Sequence, residues 1–217
     1  MARMNKTITA IMGGTFDPVH LGHMSFARDV LEQTEVQQVV FMPAKLQPFK
    51  LDVKMSSFED RAAMLELACD SMNEELAGSQ KNVSVSTLEN DLSGVSYTYR
   101  TLDEFRKRYP GTSSGSELFF ITGTDTFTAL GTWKCHEHLL KENSFIVGVR
   151  PGYPDDDIYR KKEEYESKYG TKVLVISNTP VHLSATEIRN DIAAGRSVSG
   201  KVTEHVMSYI AVHSLYR

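Results

Sequence analysis

The sequence has little cysteine and no long apolar run. Its 217 residues include two cysteines, Cys69 and Cys135, which lie far apart and form no CxxC pair, so we expect free thiols in a reducing compartment. No apolar stretch approaches the roughly 18–20 residues that a membrane-spanning helix requires. The N-terminal residues also lack the organisation of a signal peptide, which predicts a cytoplasmic protein with no membrane partner.

The sequence also lacks an excess of positive charge. Its 24 Lys and Arg residues stand against 28 Asp and Glu residues, for a formal net charge of −4. Nucleic acid is therefore not an expected partner, because proteins that bind it present a basic surface. The charge-dense stretch 155–168 alternates in sign and is typical of a solvated helix. Any site for an anion must be local.

Several common catalytic and nucleotide-binding motifs are missing. The chain has no GxxxxGK[ST] P-loop, no GxGxxG dinucleotide fingerprint and no HExxH zinc motif. Neither cysteine has a histidine arranged as in a catalytic dyad. The sequence therefore offers no evident covalent nucleophile.

What the sequence does contain is a regular alternation of apolar runs and helical patterns. With 41% hydrophobic residues, we expect residues 1–217 to form one domain, with the C-terminal helices, from about 184 to 217, packed as a small helical subdomain. The alternation predicts an α/β fold with a doubly wound, mostly parallel sheet in three α/β/α layers. The predicted strands are 8–12, 39–42, 83–89, 118–123, 145–149 and 173–177, and the predicted helices are 25–33, 58–73, 97–109, 133–140, 158–169, 184–194 and 202–215.

The most informative segment is 13–23, GGTFDPVHLGH, which lies between the first apolar run and the first helical pattern. In such a strand-to-helix turn, the N–H groups of the glycines and of the first helical turn point at one spot, where the helix dipole favours an anion. His20 and His23 can both lean over that anion. Two alternatives stay open: the histidines could ligate a metal, with Asp17 the only further ligand nearby, or the glycines could simply serve a tight turn.

Other informative segments also follow predicted strands. PAKLQPFK at 43–50 follows the second run, GTD at 123–125 the fourth, and NTPVHLSATEIR at 178–189 the sixth. In an open parallel sheet, ligands bind beyond the carboxyl ends of the strands, near the point where the strand order reverses. The clustering of these segments at that edge predicts a nucleotide site.

Individual side chains in these segments have two interpretations each. Lys50 adds positive charge near phosphates or is a solvated loop lysine, and Lys45 is a weaker candidate for the same role. Asp125 accepts hydrogen bonds from ribose hydroxyls, or it is the N-cap of the next helix. Trp133 offers a flat face to an aromatic base, or it packs in the core.

The segment 184–189 is explained by helix capping alone. Ser184 and Glu187 have the spacing of a capping box, which predicts a well-started helix. Capping and phosphate binding are compatible, because N–H groups of the first turn remain for a ligand. Arg189 would otherwise be an ordinary surface arginine.

Two of these segments together resemble the nucleotidylyltransferase superfamily. Residues 13–24 match its Gly-x-Phe-x-Pro-x-His-x-Gly-His signature, and 184–189 is similar to its Ser-x-Thr-x-x-Arg element. The resemblance implies a Rossmann-like fold and direct in-line attack on the α-phosphorus of ATP without a covalent intermediate, with Mg²⁺ held mostly by phosphates and water rather than by protein ligands. The implied catalytic residues are His20, His23 and Arg189, the last as a clamp for the β- and γ-phosphates. The implied ATP-binding residues are Gly13, Gly14, Thr15, Phe16, His20, His23, Gly123, Asp125, Ser184, Thr186 and Arg189.

Nearly the whole sequence is similar to bacterial nicotinate-nucleotide adenylyltransferases. The matching segments are GGTFDPVHLGHM, PAKLQPFK, SYTYRTL, GTDTFTALGTW, LSATEIR and YIAVHSLY. The similarity implies transfer of AMP from ATP to nicotinate mononucleotide, giving deamido-NAD and pyrophosphate in NAD biosynthesis. Backbone N–H groups near the pyridine ring would then meet the nicotinate carboxylate, which distinguishes acid from amide. The implied substrate-binding residues are Lys50, Tyr97, Thr98 and Trp133.

The sequence departs from this family at two positions. Phe49 stands where the family often has histidine, and Arg100 where it often has an acidic residue. Two rival functions remain: an adenylyltransferase for nicotinamide mononucleotide or for both mononucleotides, and a nucleotide-binding regulator without turnover. The sequence leaves open whether the protein forms a homo-oligomer.

Overall fold

A single parallel sheet forms the centre of the protein. The computed structural model describes residues 7–46, 55–109, 118–149 and 156–217, so Phe49 and the predicted substrate residue Lys50 lie outside the described residues. Six strands pair in the order β3-β2-β1-β4-β5-β6, and every pairing is parallel. The strands are β1 (Thr9–Gly14), β2 (Gln38–Pro43), β3 (Asn82–Val85), β4 (Leu118–Gly123), β5 (Ser144–Val149) and β6 (Val173–Ser177).

Helices cover both faces of this sheet, which confirms the predicted three-layer, doubly wound α/β fold. In the described part of the chain they are α1 (Leu21–Gln33), α2 (Phe58–Glu75), α3 (Leu88–Asp91), α4 (Thr98–Arg108), α5 (Thr124–Ala129), α6 (His136–Glu142), α7 (Asp156–Tyr169), α8 (Ala185–Ala193) and α9 (Glu204–Val212), with one 3-10 turn at Leu130–Thr132. Across the described residues, no helix is both long enough and apolar enough to cross a membrane.

The strands are buried on both faces, and successive residues therefore enter different cores. Ala10 and Met12 of β1 belong to the cluster beneath α1, α2, α8 and α9, whereas Ile11 between them belongs to the cluster beneath α3 to α7. A strand covered on both faces shows a continuous apolar run rather than strict alternation. This is why the apolar runs alone located most of the strands.

The last two helices share the first of these cores. Ile188 of α8 and both Val206 and Ile210 of α9 are buried in the cluster that contains Ala10 of β1 and Met64 of α2. They cover one face of the sheet together with α1 and α2. The division of the chain into a main domain and a small helical subdomain stays a prediction.

The strand order places the informative segments side by side. β1 and β4 are neighbours, with Met12 opposite Ile121 in the register, and the order reverses between them. In doubly wound sheets this reversal opens a crevice at the carboxyl ends of the strands. The 13–23 turn and the segment 123–125 therefore flank one crevice.

Two predicted elements were wrong in part. The strand predicted at 83–89 ends at Val85, and α3 begins at Leu88, because Ser86 turns the chain and its Oγ accepts the Leu88 N–H at 3.4 Å. The helix predicted at 133–140 begins only at His136. Before it, α5 and the 3-10 turn occupy residues 124–132, where the Thr-rich sequence showed no clear helical periodicity.

Candidate active site

The 13–23 turn is packed against its own glycines. The ring of Phe16 lies over Gly14 so closely that a Cβ on Gly14 would come within 2.8 Å of it. That ring is buried and meets the rings of His23 and Phe41 edge-on, with centroids 4.9 and 5.6 Å away. Phe16 has a positive φ of 51°, which is unusual for a residue with a side chain and persists here because the ring is held by this packing.

His20 and His23 lie together at the start of α1. Their rings stack with centroids 3.7 Å apart and an angle of 23° between their planes. The backbone N–H of His20 donates to Nδ1 of His23 at 3.2 Å. Gly22 leaves room for this arrangement, because a Cβ there would come as close as 3.0 Å to the His20 ring, which would then have to shift. The spacing His-x-Gly-His is thus a packing requirement as well as a sequence pattern.

The His20 side chain has an unsatisfied polar atom in a buried position. Only 9% of the residue is exposed, and its Nδ1 has no hydrogen-bond partner in the structure. Burial lowers the pKa of His20 from 6.5 to about 4, because an imidazolium is poorly solvated there. A buried polar atom without a partner is costly, and this one lies against the backbone at Gly22.

The start of α1 is less open to an anion than the sequence suggested. The N–H of Leu21 donates to the carbonyl of Lys201 at 2.9 Å, and the N–H of His23 donates to the carbonyl of His20 at 2.9 Å. The expectation that the whole first turn of α1 faces an anion is therefore wrong in part. The protein itself uses two of these donors, and the bond from Leu21 to Lys201 is a long-range contact that no local pattern could reveal.

The 184–189 segment forms a capped helix start, as expected. The Oγ of Ser184, the N-cap of α8, accepts the Glu187 N–H at 3.1 Å. Arg189 is half-buried and donates to the carbonyl of Asp17 at 2.7 Å and to Oγ1 of Thr186 at 3.1 Å. Arg189 therefore connects the two signature elements, and two of its five N–H donors are used in doing so.

A cavity of about 590 Å³ opens beside the 13–23 turn at the crevice of the sheet. Its volume lies in the range of sites for small organic molecules. The predicted site residues that line it are Gly13, Gly14, Phe16, His23, Gly123, Tyr97, Thr98 and Trp133, whereas Thr15, His20, Asp125, Ser184, Thr186 and Arg189 do not line it.

The far side of this cavity is aromatic and carries one cation. Trp133 is half-buried, packs against the second core and also faces the cavity, so both interpretations of its role hold. Tyr97 lines the same wall, and Nζ of Lys134 lies 4.3 Å from the centroid of its ring. Among the described residues that line the cavity, Lys134 is the only lysine or arginine.

Several other predicted residues lie outside the cavity wall. Asp125 is exposed in the first turn of α5, and the N-cap of that helix is Gly123, so the interpretation of Asp125 as an N-cap is wrong. The Nζ of Lys45 donates to the carbonyl of Asn90 at 2.7 Å. Arg100 points away from the site, with Nη1 donating to the carbonyl of Ser93 at 2.6 Å.

The sequence analysis missed Glu89 and Lys134, which both line the cavity. Glu89 is buried and accepts the hydroxyl of Thr101 at 2.8 Å and the N–H of Lys45 at 3.2 Å, so it joins the loop after β2 to α4. The pair Ser-Thr followed by Leu-Glu-Asn-Asp was the available signal of a helix start. Lys134 had no signal except its place next to Trp133.

The described residues contain no group of three or more His, Cys, Asp and Glu side chains that could hold a metal ion. This finding bears on the alternative in which His20 and His23 ligate a metal with Asp17. The Asp17 carboxylate instead accepts hydrogen bonds from Tyr216 and Ser56. Among the described residues, Asp17 therefore forms no metal-holding group with the two imidazoles.

The family comparison defines the class of protein. The cytidylyltransferase-like family matches residues 11–191, which is most of the chain and contains both signature elements. The parallel sheet, the two stacked imidazoles and the capped helix with its arginine all lie within that range. The chain is a cytidylyltransferase-like nucleotidyltransferase.

The similarity to curated relatives is more specific. A protein of Clostridium botulinum strain Kyoto named "Probable nicotinate-nucleotide adenylyltransferase" is 33% identical over 209 residues, which cover 96% of this chain and 98% of the relative. A protein of Thermoanaerobacter sp. strain X514 with the same name is 33% identical over 207 residues, covering 95% and 93%. The chain belongs to the nicotinate-nucleotide adenylyltransferase family.

Solved structures share the fold. The nicotinic acid mononucleotide adenylyltransferase of Plasmodium falciparum, complexed with NaAD, superposes with a TM-score of 0.72 at 19% identity, covering 97% of each chain. The same enzyme complexed with APC gives a TM-score of 0.69 at 18% identity. At this level of identity the comparison supports the Rossmann-like architecture alone.

The burial of His20 predicts a pH dependence of stability. Between pH 6.5 and about 4, the unfolded chain binds a proton at this position and the folded protein does not, so the free energy of unfolding falls as the pH falls. The loss is complete below pH 4 and amounts to about 3 kcal/mol at most. Replacing His20 by Asn, a good N-cap, should reduce this slope in urea unfolding measured between pH 7 and 4.5.

The matched control is His182→Asn, which replaces an exposed histidine. This variant should keep the pH dependence of the wild type. Equal slopes for His20→Asn and the wild type would show that His20 is protonated in the folded protein as readily as in the unfolded chain.

Proposed function

We propose that this protein transfers AMP from ATP to nicotinate mononucleotide, giving deamido-NAD and pyrophosphate in NAD biosynthesis. The observation that carries the proposal is the composition of one cavity, which is lined by His23, stacked on His20, together with Tyr97 and Trp133. The imidazoles suit the phosphate of a pyridine mononucleotide, and the aromatic side chains suit its ring. Membership of the nicotinate-nucleotide adenylyltransferase family supports the same activity.

The imidazoles act on the transferred phosphate. An oxygen of the mononucleotide phosphate attacks the α-phosphorus of ATP, and the bond from that phosphorus to pyrophosphate breaks, so no protein nucleophile is needed. His20 and His23 donate hydrogen bonds to the α-phosphate as negative charge develops in the transition state. The stacking of the two rings, one of which lines the cavity, supports this role. A bound triphosphate would also raise the proton affinity of the buried ring.

The leaving group is stabilised separately. Mg²⁺ enters as part of the ATP substrate, since phosphates and water are its usual ligands in such sites. Arg189 has N–H donors beyond the two that bind Asp17 and Thr186, and these suit the β- and γ-phosphates. Ser184 is the N-cap of α8 and Thr186 lies in its first turn, where the helix dipole favours an anion.

The aromatic end suits the pyridine ring and its carboxylate. Trp133 offers a face for stacking, and α4 begins at Thr98 with no side-chain cap from its N-cap residue, Tyr97. An uncapped helix start favours an anion such as a carboxylate. Lys134, which lies over the Tyr97 ring, adds positive charge there and so favours nicotinate over nicotinamide.

The proposed activity is tested by pyrophosphate release from ATP and Mg²⁺ with each mononucleotide in turn. We expect turnover with nicotinate mononucleotide and a clearly lower kcat/KM with nicotinamide mononucleotide, because an amide lacks the negative charge that Lys134 and the start of α4 favour. Equal kcat/KM values would indicate dual specificity. ATP binding without pyrophosphate release from either mononucleotide would identify a nucleotide-binding regulator instead.

Replacing either imidazole should slow turnover more than it weakens binding. His20→Ala and His23→Ala should each lower kcat by about 10²- to 10³-fold, the usual cost of one donor to a developing charge. The dissociation constant of ATP, measured by calorimetry, should change much less, because the contacts strengthen in the transition state. Parallel losses in kcat and in ATP affinity would show that the rings only hold the ground state.

Replacing Lys134 by Met should reduce the preference for the acid. We expect kcat/KM for nicotinate mononucleotide to fall about threefold, because an exposed charge pair contributes at most about 1 kcal/mol, while the value for nicotinamide mononucleotide stays unchanged. High salt should produce the same trend in the wild type. Lys141→Met, which removes an exposed charge on α6, is the control and should leave the ratio unchanged. An equal fall for both substrates would assign Lys134 to another role.

A further inference from the structure

Asp17, three residues before His20, is a buried carboxylate with few donors. Only 3% of the residue is exposed. Its oxygens accept the phenol O–H of Tyr216 at 2.7 Å and the backbone N–H of Ser56 at 3.3 and 3.4 Å. A buried carboxylate depends on its donors for the solvation that it has lost. Of these bonds, the one from Tyr216 is the shortest.

The charge of Asp17 is balanced by a different residue. Arg61 of α2 is 1% exposed and donates to the carbonyl of Thr15 at 2.7 Å and to the carbonyl of Ser56 at 3.3 Å. Burial lowers the pKa of Arg61, and the negative charge of Asp17 opposes that effect. Because Arg61 already supplies the opposite charge, the main effect of the Tyr216 phenol is to orient the carboxylate. Its hydrogen bond holds one carboxylate oxygen of Asp17 at a defined place.

The segment after α9 is shaped to deliver this phenol. Ser214 and Tyr216 have positive φ values of 51° and 64°, which are unfavourable for residues with side chains. Between them, the N–H of Leu215 donates back to the carbonyl of Ile210 at 3.1 Å. Such conformations persist where contacts over-determine them. This sharp reversal brings Tyr216 back onto the 13–23 turn, 199 residues away in sequence.

From this network we infer that Tyr216 is a positioning residue for adenylyl transfer. Its hydroxyl holds Asp17, and Asp17 is joined through two residues to His20, whose ring must keep its place over Gly22 and against His23. Tyr216 acts through Asp17 and does not line the cavity. The inference rests on the proposed function, but the placement of the imidazoles can also be measured without turnover.

The test is Tyr216→Phe, which removes only the hydroxyl. We expect kcat to fall about tenfold, because small misplacements of reacting groups are costly, while KM for ATP and for nicotinate mononucleotide changes less than about twofold, since the cavity wall is intact. In the substrate-free protein, the imidazole NMR signals of His20 and His23 should shift or broaden.

The same segment offers a matched control. Tyr209 of α9 donates its O–H to Asp60 of α2 at 3.0 Å, so its hydroxyl bonds a residue outside the 13–23 turn. Tyr209→Phe therefore removes an equivalent hydroxyl that docks α9 on α2. It should lower the unfolding midpoint and leave both kcat and the two imidazole signals unchanged.

Three results would overturn the inference. Tyr216→Phe could keep the kcat and the imidazole signals of the wild type, or it could weaken only substrate binding, seen as a change in KM alone. Tyr209→Phe could lower kcat and disturb the imidazole signals as much as Tyr216→Phe does. If Tyr216→Phe does not fold, Asp17→Asn tests the same hydrogen bond from the carboxylate side. This variant should lower kcat and disturb the NMR signal of His20. An unchanged His20 signal would count against the inference. A wild type that releases no pyrophosphate would refute the proposed function alone, because the imidazole signals would still report on positioning.

Discussion

The close packing of the His20 ring on the backbone at Gly22 is the contact on which the candidate site depends. Any side chain at that position would meet the ring, and without the ring in that place the two imidazoles could not stack. Gly14, at the end of β1, is packed in a similar way, because the Phe16 ring covers it. Both glycines serve close approach rather than unusual backbone angles, since neither has a positive φ. The signature is therefore a packing pattern that places two donors at one point.

The 13–23 turn, which contains both histidines, is held by hydrogen bonds from residues that are distant in sequence. Arg61 comes from α2, Arg189 from α8, and Lys201 from the segment between α8 and α9, and each binds a backbone group of the 13–23 turn. All three belong to the layer of helices that covers one face of the sheet. The aromatic end of the cavity, with Tyr97 and Trp133, is built from the opposite layer. Elements from both faces of the sheet thus meet at this site, beside the point where the strand order reverses.

The sequence predicted the architecture well because the strands are buried on both faces. The runs at 118–123 and 173–177 coincide with β4 and β6, since an uninterrupted apolar run has few other uses in a chain of this composition. Prediction failed where local patterns were ambiguous, as in the Thr-rich stretch that forms α5. It also could not foresee long-range contacts: the bond from Leu21 to Lys201 and the burial of Glu89 depend on tertiary packing, for which hydrophobic periodicity contains no information.

The long reach of the Asp17 contact has a consequence for how the protein is made. The pairings of β1 with β2 and with β4 lie within residues 9–123, so these strands can pair once that part of the chain has been synthesised. The turn with the histidines, in contrast, gains its last anchor only when residue 216 has left the ribosome. A chain that has formed these pairings therefore still lacks the Tyr216 contact that we infer positions the imidazoles for transfer, whereas Tyr216 is not part of the cavity wall.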